Sequence, residues 1–230
     1  MIEPYYQNDL ITLYHGDSTI ILPELGEYKL ILTDPPYGQN ETYGRGANTI
    51  ANDNDTQMYY HLGKFAKSKT NDFWCAWWVG WKTFIEAVES FNNGKPNACV
   101  AWDKNMPGMG GVFRSQYELL VVYKYGDPKS SYNGGDVWRY TRSQSPKHPH
   151  EKPVDFLRKF IKHFTKKDEN VLDCFAGSGS TALAAMLENR KCTLIEYDEK
   201  YCQLIADNCE QIRTGLTTAE QAEGQQTLFG

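Results

Sequence analysis

The sequence lacks the features that mark several common classes of protein. No apolar run approaches the roughly 20 residues of a membrane-spanning helix, and the polar start, 1–10, has neither the basic nor the apolar part of a signal peptide. Its six cysteines form no Cys-x-x-C pair and no Cys/His spacing typical of zinc. These absences predict a cytoplasmic protein with reduced thiols and no metal.

Positive charge is also scarce, since the 230 residues carry a net charge of −5. The exception is the segment 139–167, which holds nine lysines and arginines but only two acids. Such a segment can bind phosphates, or it can be the solvated surface of a helix. The apolar share, 40%, is enough for one core, and we expect one domain over 1–215 followed by a flexible tail over 216–230.

Two kinds of apolar segment alternate along the chain. Short apolar runs predict strands at Ile11–Tyr14, Lys29–Thr33, Cys99–Trp102, Glu118–Tyr123, Asn170–Cys174 and Lys191–Glu196. Helical spacing begins at Pro153, which suits a first helical position, and again at Thr181 and after Asp198. Phe73–Trp81 is a strand or a helix, and its four tryptophans are predicted to lie in the core. The alternation predicts an α/β fold, a mostly parallel sheet with helices on both faces.

A glycine-rich turn joins one predicted strand to a helix. Gly177-x-Gly179-x-x-Ala182 follows the strand at 170–174, and Glu196 lies 19 residues after Gly177, at the end of the next strand. Glycines let the backbone approach a ligand closely, and the acid can accept hydrogen bonds from ribose hydroxyls. The pattern predicts a cofactor that contains adenosine, and it leaves NAD and S-adenosylmethionine open.

The order of these elements is unusual. Only one helix and a tail follow Glu196, so the rest of the sheet has to come from the N-terminal half. We therefore expect a Rossmann-like sheet in circularly permuted order, with the last two strands of the sequence first in space. Ligands bind at the carboxyl ends of the strands in such sheets. The segment Thr33–Gly38 (TDPPYG), which follows a buried strand, should then lie near the glycine turn.

Three motifs in this order resemble the amino-group DNA methyltransferases: TDPPYG at 33–38, HPHEKP at 148–153 and VLDCFAGSGST at 171–181. DPPY precedes FxGxG, as in the beta group of that family. The resemblance covers roughly 10–213 and implies transfer of the methyl group of S-adenosylmethionine to an exocyclic amine of a flipped base. Family members with Ser in place of the Asp lean towards cytosine, so Asp34 favours adenine N6 and leaves cytosine N4 as the alternative.

The chemistry explains why these residue types are needed. An exocyclic amine is a poor nucleophile because its lone pair is delocalised into the ring. Asp34 and the Pro35 carbonyl can each accept one amine hydrogen, and Tyr37 can stack on the base, so transfer is direct, without a covalent enzyme intermediate. The predicted catalytic residues are Asp34, Pro35, Pro36 and Tyr37. By the same resemblance, the predicted cofactor-binding residues are Asp17, Asp34, Lys152, Asp173, Phe175, Gly177, Gly179, Ser180, Thr181 and Glu196.

Two polar segments are candidates for contact with double-stranded DNA. One is a loop at 39–57, predicted to be mobile and to close over DNA. The other is a short target-recognition-like segment at 127–150, where Trp138 and Tyr140 lie among basic residues that can hold phosphates or read guanine. The predicted DNA-binding residues are Tyr43, Arg45, Tyr132, Arg139, Arg142, Lys147 and His148. So short a segment predicts a short or relaxed recognition sequence.

The tail contains a further short motif. Gln225–Phe229 (QQTLF) resembles the peptide with which bacterial replication proteins bind the sliding clamp. A homodimer and a restriction partner are left open. An RNA or protein methyltransferase, a nicotinamide oxidoreductase and an idle DNA-binding module stay as rivals. A C5-cytosine methyltransferase is excluded, because no cysteine here follows a proline.

Overall fold

The computed structural model describes residues 2–36, 57–108, 112–141 and 152–215. Nine strands of this part of the chain form one sheet: β1 (Tyr6–Gln7), β2 (Ile11–His15), β3 (Leu30–Thr33), β4 (Phe73–Val79), β5 (Ala98–Asp103), β6 (Tyr117–Tyr125), β7 (Val137–Arg139), β8 (Asn170–Asp173) and β9 (Lys191–Glu196). Six helices accompany them: α1 (Ser18–Ile21), α2 (Gln57–Lys67), α3 (Phe84–Phe91), α4 (Val154–Phe164), α5 (Ser180–Leu187) and α6 (Glu199–Thr214). The α/β fold is therefore confirmed.

The strands lie in the order β1-β2-β9-β8-β3-β4-β6-β5-β7. β2, β9, β8, β3 and β4 are parallel neighbours, whereas β1 and β6 run antiparallel to the strands beside them. The permuted order is present, but the last two strands of the sequence lie in the middle of the sheet and not first in space. They are inserted between β2 and β3, which are consecutive along the chain. The point where the strand order reverses lies between β8 and β3, the place where open α/β sheets bind ligands.

The central strands are buried because helices cover both faces of the sheet. Every residue of β3 is buried, and in β4 only Trp74 is partly exposed. Trp78 packs on Phe156 of α4 in one core, while Trp77 packs on Tyr59 of α2 in the other. The third expected core tryptophan, Trp74, packs at the margin of the first core. Both layers of helices therefore hold the sheet by aromatic packing.

The fourth tryptophan of this region was predicted wrongly. Trp81 is 58% exposed, because β4 ends at Val79 and Trp81 lies in a 3-10 turn beyond the edge of the sheet. Trp138, expected in a polar recognition segment, is instead 2% exposed and packs on Phe156, with ring centroids 4.8 Å apart. It lies on β7, a short strand that the turn-rich sequence around it did not indicate.

The ends of the helices follow their sequence signals. Asp198 accepts a hydrogen bond from the backbone N–H of Lys200 and so caps α6, as expected. Pro153 lies at the N-cap of α4, one residue before the first helical position that was predicted for it.

All six cysteines are free thiols, and only Cys99 is partly exposed. Among the described residues, no helix is long and apolar enough to span a bilayer.

Candidate active site at the carboxyl ends of β3, β8 and β9

The ends of the two central strands are joined by side-chain hydrogen bonds. Thr33, the last residue of β3, donates its hydroxyl to Oδ1 of Asp173, the last residue of β8, at 2.7 Å. The backbone N–H of Cys174 donates to the Thr33 hydroxyl at 3.2 Å. These bonds fix the position of Asp34, which follows Thr33, relative to the glycine turn, which follows Asp173.

The two carboxylate oxygens of Asp34 differ in their partners among the described residues. Oδ2 lies 2.5 Å from the Lys152 ammonium, whereas Oδ1 is buried and has no hydrogen-bond partner among the described residues. A buried acceptor without a donor costs about 1–3 kcal/mol. Such an oxygen is a ready acceptor for a hydrogen of an incoming ligand. Pro35 is buried and Pro36 partly buried beside it, whereas Tyr37 lies outside the described residues.

Lys152 contacts two acids just before the start of α4. Its Nζ lies 3.2 Å from Oε2 of Glu118 in addition to the contact with Asp34. Burial alone would lower the pKa of Lys152, but the charges of Asp34 and Glu118 outweigh burial and raise that pKa. The ammonium therefore stays charged and holds Asp34. The predicted contact of Lys152 with the cofactor stays a prediction.

The glycine turn needs glycine at both predicted positions. Gly177 and Gly179 have φ values of 52° and 82°, in the left-handed region that favours glycine. A Cβ at Gly179 would lie 2.7 Å from Cγ1 of Ile205, which is closer than real contacts allow. The turn opens α5 at Ser180, whose hydroxyl lies 3.3 Å from that of Ser178. Backbone N–H groups at the start of a helix suit a polar ligand.

Glu196 connects the glycine turn to the end of β9. Its Oε2 accepts from the N–H of Gly177 at 2.7 Å, and its Oε1 accepts from the N–H of Asp198 at 2.8 Å. Each carboxylate oxygen can accept a second hydrogen bond. Burial raises the pKa of Glu196 against the lowering effect of these N–H donors. The residue therefore fits the expected role of acceptor for ribose hydroxyls.

Asp173 lies deeper between the same strand ends. It accepts the backbone N–H of Phe175 at 3.1 Å besides the hydroxyl of Thr33. Burial raises the pKa of Asp173 to about 6, although hydrogen bonds from Thr181 and Thr33 act in the opposite direction. Asp173 and Thr181 are buried, whereas Phe175 is partly exposed. Their hydrogen bonds hold the turn, and their contact with a cofactor stays a prediction.

Asp17 caps a short helix beside the same edge. Its Oδ1 accepts from both the N–H and the hydroxyl of Thr19 at 2.8 Å. The preceding residue, Gly16, donates its N–H to the backbone carbonyl of Glu196 at 2.9 Å. Asp17 thus lies near the ribose-binding candidate, and the contact with adenine that the resemblance implies stays a prediction.

The acids and glycines of this edge fit a cofactor that contains adenosine. The chain offers a glycine turn with left-handed backbone, a carboxylate with unused lone pairs in Glu196, and Oδ1 of Asp34 at the neighbouring strand end. In the described residues, no group of three or more His, Cys, Asp or Glu side chains could hold a metal ion.

The predicted DNA-contacting residues are less completely described. Tyr132 donates its hydroxyl to the Gly135 carbonyl and accepts from Trp138 Nε1 at 2.8 Å. Arg139 is exposed, and its Nε lies 3.0 Å from Oδ2 of Asp103. Tyr43, Arg45, Arg142, Lys147, His148 and the tail motif Gln225–Phe229 lie outside the described residues. Within 139–167, some cations are already engaged: Lys152 by two acids and Arg158 by Glu188 and Asp155.

Glu118 was not among the predicted site residues. It lies on β6, where its two oxygens contact Lys152 at 3.2 Å and Lys104 at 2.6 Å. The charges of Lys152 and Lys104 overcome its burial and hold the pKa of Glu118 well below its usual range. The one signal for it in the sequence is a single acid at the start of the apolar run Glu118–Tyr123.

Comparison with known proteins assigns the family. The sequence matches the DNA methylase family of N6 and N4 methyltransferases over residues 28–207. The chain belongs to this family. The type II methyltransferase M.HhaII of Haemophilus parahaemolyticus is 28% identical to it over 188 residues, which are 76% of this chain and 82% of the relative.

Solved structures of DNA methyltransferases share the fold of this DNA methylase. The cytosine-N4-specific PvuII DNA methyltransferase has a TM-score of 0.70 at 17% identity and covers 94% of this chain and 97% of its own. The complex of M1.HpyAVI with S-adenosylmethionine has a TM-score of 0.66 at 20% identity, with 86% and 100% coverage. The family confirms DNA as substrate and S-adenosylmethionine as cofactor. The neighbours confirm the Rossmann-like methyltransferase fold.

Proposed function

We propose that this DNA methylase methylates adenine N6, and that Oδ1 of Asp34 accepts a hydrogen of the target amine. The observation that carries the role of Asp34 is its buried Oδ1 at the end of β3, which has no hydrogen-bond partner among the described residues. The Pro35 carbonyl is the second acceptor that the DPPY motif implies. Two acceptors draw the amine nitrogen towards a tetrahedral geometry and direct its lone pair outward, so positioning supplies most of the catalysis.

The cofactor supplies an activated methyl group as a sulfonium, and the chain supplies its binding residues. Glu196 is proposed to accept the ribose hydroxyls, and the turn at Gly177 and Gly179 to approach the cofactor with its backbone. Lys152 keeps Oδ2 of Asp34 occupied, so that Oδ1 is the oxygen left for the amine. The remaining proposed cofactor contacts are those of Asp17, Asp34, Lys152, Asp173, Phe175, Ser180 and Thr181.

Direct transfer to the amine agrees with the state of the nearest cysteine. Cys174 follows Asp173 and lies 3.5 Å from the hydroxyl of Thr33. Burial raises the pKa of the Cys174 thiol well above its usual value, so this thiol stays protonated. A protonated, buried thiol is a poor nucleophile, and we propose no covalent step on the enzyme.

Adenine is preferred to cytosine because Asp34 occupies the position where family members specific for cytosine tend to have Ser. Cytosine N4 is the second candidate, since both amines offer two hydrogens to the same acceptors. The cytosine-N4-specific PvuII enzyme shares the fold at 17% identity, and so low an identity supports the fold and not the target base. The base itself is proposed to be flipped out of the duplex to reach Asp34.

The test is methyl transfer from labelled S-adenosylmethionine to mixed-sequence duplex DNA, followed by nucleoside digestion and mass spectrometry. We expect N6-methyladenine from the wild type and a loss of about 10²- to 10³-fold in Asp34→Ala. Asp9→Ala is the matched control, because Asp9 is an exposed acid that precedes β2, at the amino ends of the parallel strands and outside both segments proposed to contact DNA. N4-methylcytosine as the product would refute the assignment to adenine.

Residues beyond Asp34 are proposed to contact the DNA. Tyr37 is proposed to stack on the flipped base, and the segments 39–57 and 127–150 to contact the duplex. The type II relative M.HhaII supports a place in a restriction–modification system, and such a setting agrees with the predicted cytoplasmic location.

The tail motif Gln225–Phe229 is proposed to bind a sliding clamp. Titration of a peptide of residues 218–230 against a clamp tests it, and absence of binding at high micromolar concentration would exclude it. Sedimentation of the full chain decides whether the protein is a homodimer.

A further inference from the structure

Four charges of alternating sign extend inward from the partly exposed Asp34 of the active site. Lys152 Nζ lies 2.5 Å from Oδ2 of Asp34 and 3.2 Å from Oε2 of Glu118, and Lys104 Nζ lies 2.6 Å from Oε1 of Glu118. The side chains of Lys152, Glu118 and Lys104 are 6%, 12% and 9% exposed. We call Asp34, Lys152, Glu118 and Lys104 the charge cluster.

The inner half of the charge cluster belongs to the rigid part of the sheet. Glu118 is the second residue of β6 and lies opposite Trp102 of β5 in the antiparallel ladder. Lys104 directly follows β5, and its backbone N–H donates to the Gln116 carbonyl at 2.9 Å. Neither residue lies on the segment that carries Asp34 or on the one that carries Lys152. The paired strands β5 and β6 therefore hold Glu118 and Lys104 in fixed positions beside Lys152 and Asp34.

Stability alone does not explain such a cluster. Desolvation of buried ions often cancels their attraction, and well-packed apolar side chains in their place are often as stable. Tryptophan rings cover both ammonium groups, at 5.3 Å from Lys104 to Trp102 and 5.2 Å from Lys152 to Trp78. Away from water, the carboxylate and ammonium groups keep a defined orientation. Oδ1 of Asp34 needs a defined orientation if it is to accept a hydrogen of the target amine.

We propose that Glu118, supported by Lys104, is a positioning residue for methyl transfer. Glu118 holds the Lys152 ammonium on Oδ2 of Asp34, and this leaves Oδ1 directed at the target amine. When Glu118 is replaced, we expect the ammonium to shift from Oδ2 towards Oδ1 of Asp34 and to compete with the amine. The proposal rests on Asp34 accepting the amine, but it is the same for adenine and for cytosine.

The test compares Glu118→Gln with the wild type in single-turnover methylation at saturating cofactor and DNA. Because a small misplacement of a reacting group can cost about 100-fold in rate, we expect a loss of that order. Calorimetric dissociation constants for S-adenosylmethionine and for DNA should stay unchanged. Glu118→Asp, which keeps the charge, should recover part of the rate. An unchanged rate in Glu118→Gln would overturn the proposal.

A double variant separates positioning from charge balance. Glu118→Gln leaves two lysines against one carboxylate, and adding Lys104→Met restores one charge of each sign. If charge balance alone matters, both the thermal midpoint and the rate return in the double variant, and the proposal fails. If Glu118 positions Lys152, the midpoint returns while the rate stays low. The double variant also carries the test if Glu118→Gln alone does not fold.

Glu188→Gln is the matched control for loss of a half-buried ion pair. Glu188 lies 2.9 Å from Nε of Arg158, has a side chain exposed to the same extent as that of Glu118, and follows the C-terminus of α5, away from the site. We expect its rate to equal that of the wild type. Failure of the adenine assignment would show in the methylated nucleoside, whereas failure of the positioning role would show in the ratio of the rates.

Discussion

Alanine at Gly179 should destabilise the protein through two separable effects. Gly179 has a φ of 82°, and a non-glycine residue in the left-handed region costs about 1–2 kcal/mol. Its Cβ would lie 2.7 Å from Cγ1 and 3.3 Å from Cγ2 of Ile205. Overpacking of this kind costs about 1–3 kcal/mol. The free energy of unfolding of Gly179→Ala should therefore fall by about 2–5 kcal/mol.

Urea denaturation of single and double variants separates the strain from the clash. Ile205→Ala removes both close atoms and leaves Cβ at 3.4 Å, an ordinary contact. The double variant should then be less destabilised than the sum of the single variants, by the about 1–3 kcal/mol of overpacking. Gly26→Ala is the matched control, since a Cβ there would meet nothing within 4 Å. Strict additivity, or a Gly179→Ala as stable as Gly26→Ala, would refute the geometry of the turn.

Three further predictions concern Asp173, Trp138 and Glu196. Because the pKa of Asp173 is raised from 3.8 to about 6, protonated Asp173 favours the folded state below pH 4, and this contribution is lost as pH rises to 6. Asp173→Asn should remove this pH dependence, which amounts to about 3 kcal/mol in the free energy of unfolding between pH 4 and pH 6. A pH-stability profile unaltered in Asp173→Asn would contradict the raised pKa of Asp173. Trp138→Ala should lower the free energy of unfolding, measured by urea denaturation, by about 3–5 kcal/mol because it leaves a cavity in the core. Trp81 is exposed, so Trp81→Ala should change the free energy of unfolding by no more than about 0.5 kcal/mol. Equal losses in the two variants would be inconsistent with the fold. Glu196→Gln should weaken calorimetric binding of S-adenosylmethionine about 10- to 100-fold, because an amide replaces one acceptor oxygen of a charged hydrogen-bonding group; unchanged affinity would remove Glu196 from the cofactor site.

The central strands, and the places of the DPPY segment and the glycine turn at their ends, were predictable because their signals are local. Thr33 and Asp34 end an uninterrupted apolar run, and the turn between Gly177 and Gly179 sits between a strand and a helix. The bounds of β9 agree with the prediction at both ends. Each of these features is a contrast between neighbours in the sequence, which is what periodicity and turn composition can detect.

Other features depend on contacts between distant segments. The predicted strand at Glu118–Tyr123 gave no reason to place Glu118 beside Lys152, because β6 is brought there by its pairing with β4 and β5. β7 has three residues among turn formers, so its single buried side chain, Trp138, carried no periodic signal. The position of β8 and β9 in the sheet likewise follows from tertiary pairing.

The insertion of β9 and β8 between β2 and β3 has a consequence for synthesis on the ribosome. β2 and β3 leave the ribosome early, but the strands that pair with their facing edges are complete only after residue 196. Until then, two apolar strands present unpaired backbone, a state prone to non-native pairing. We therefore expect the nascent chain to aggregate most readily in the interval between the synthesis of β3 and that of β9.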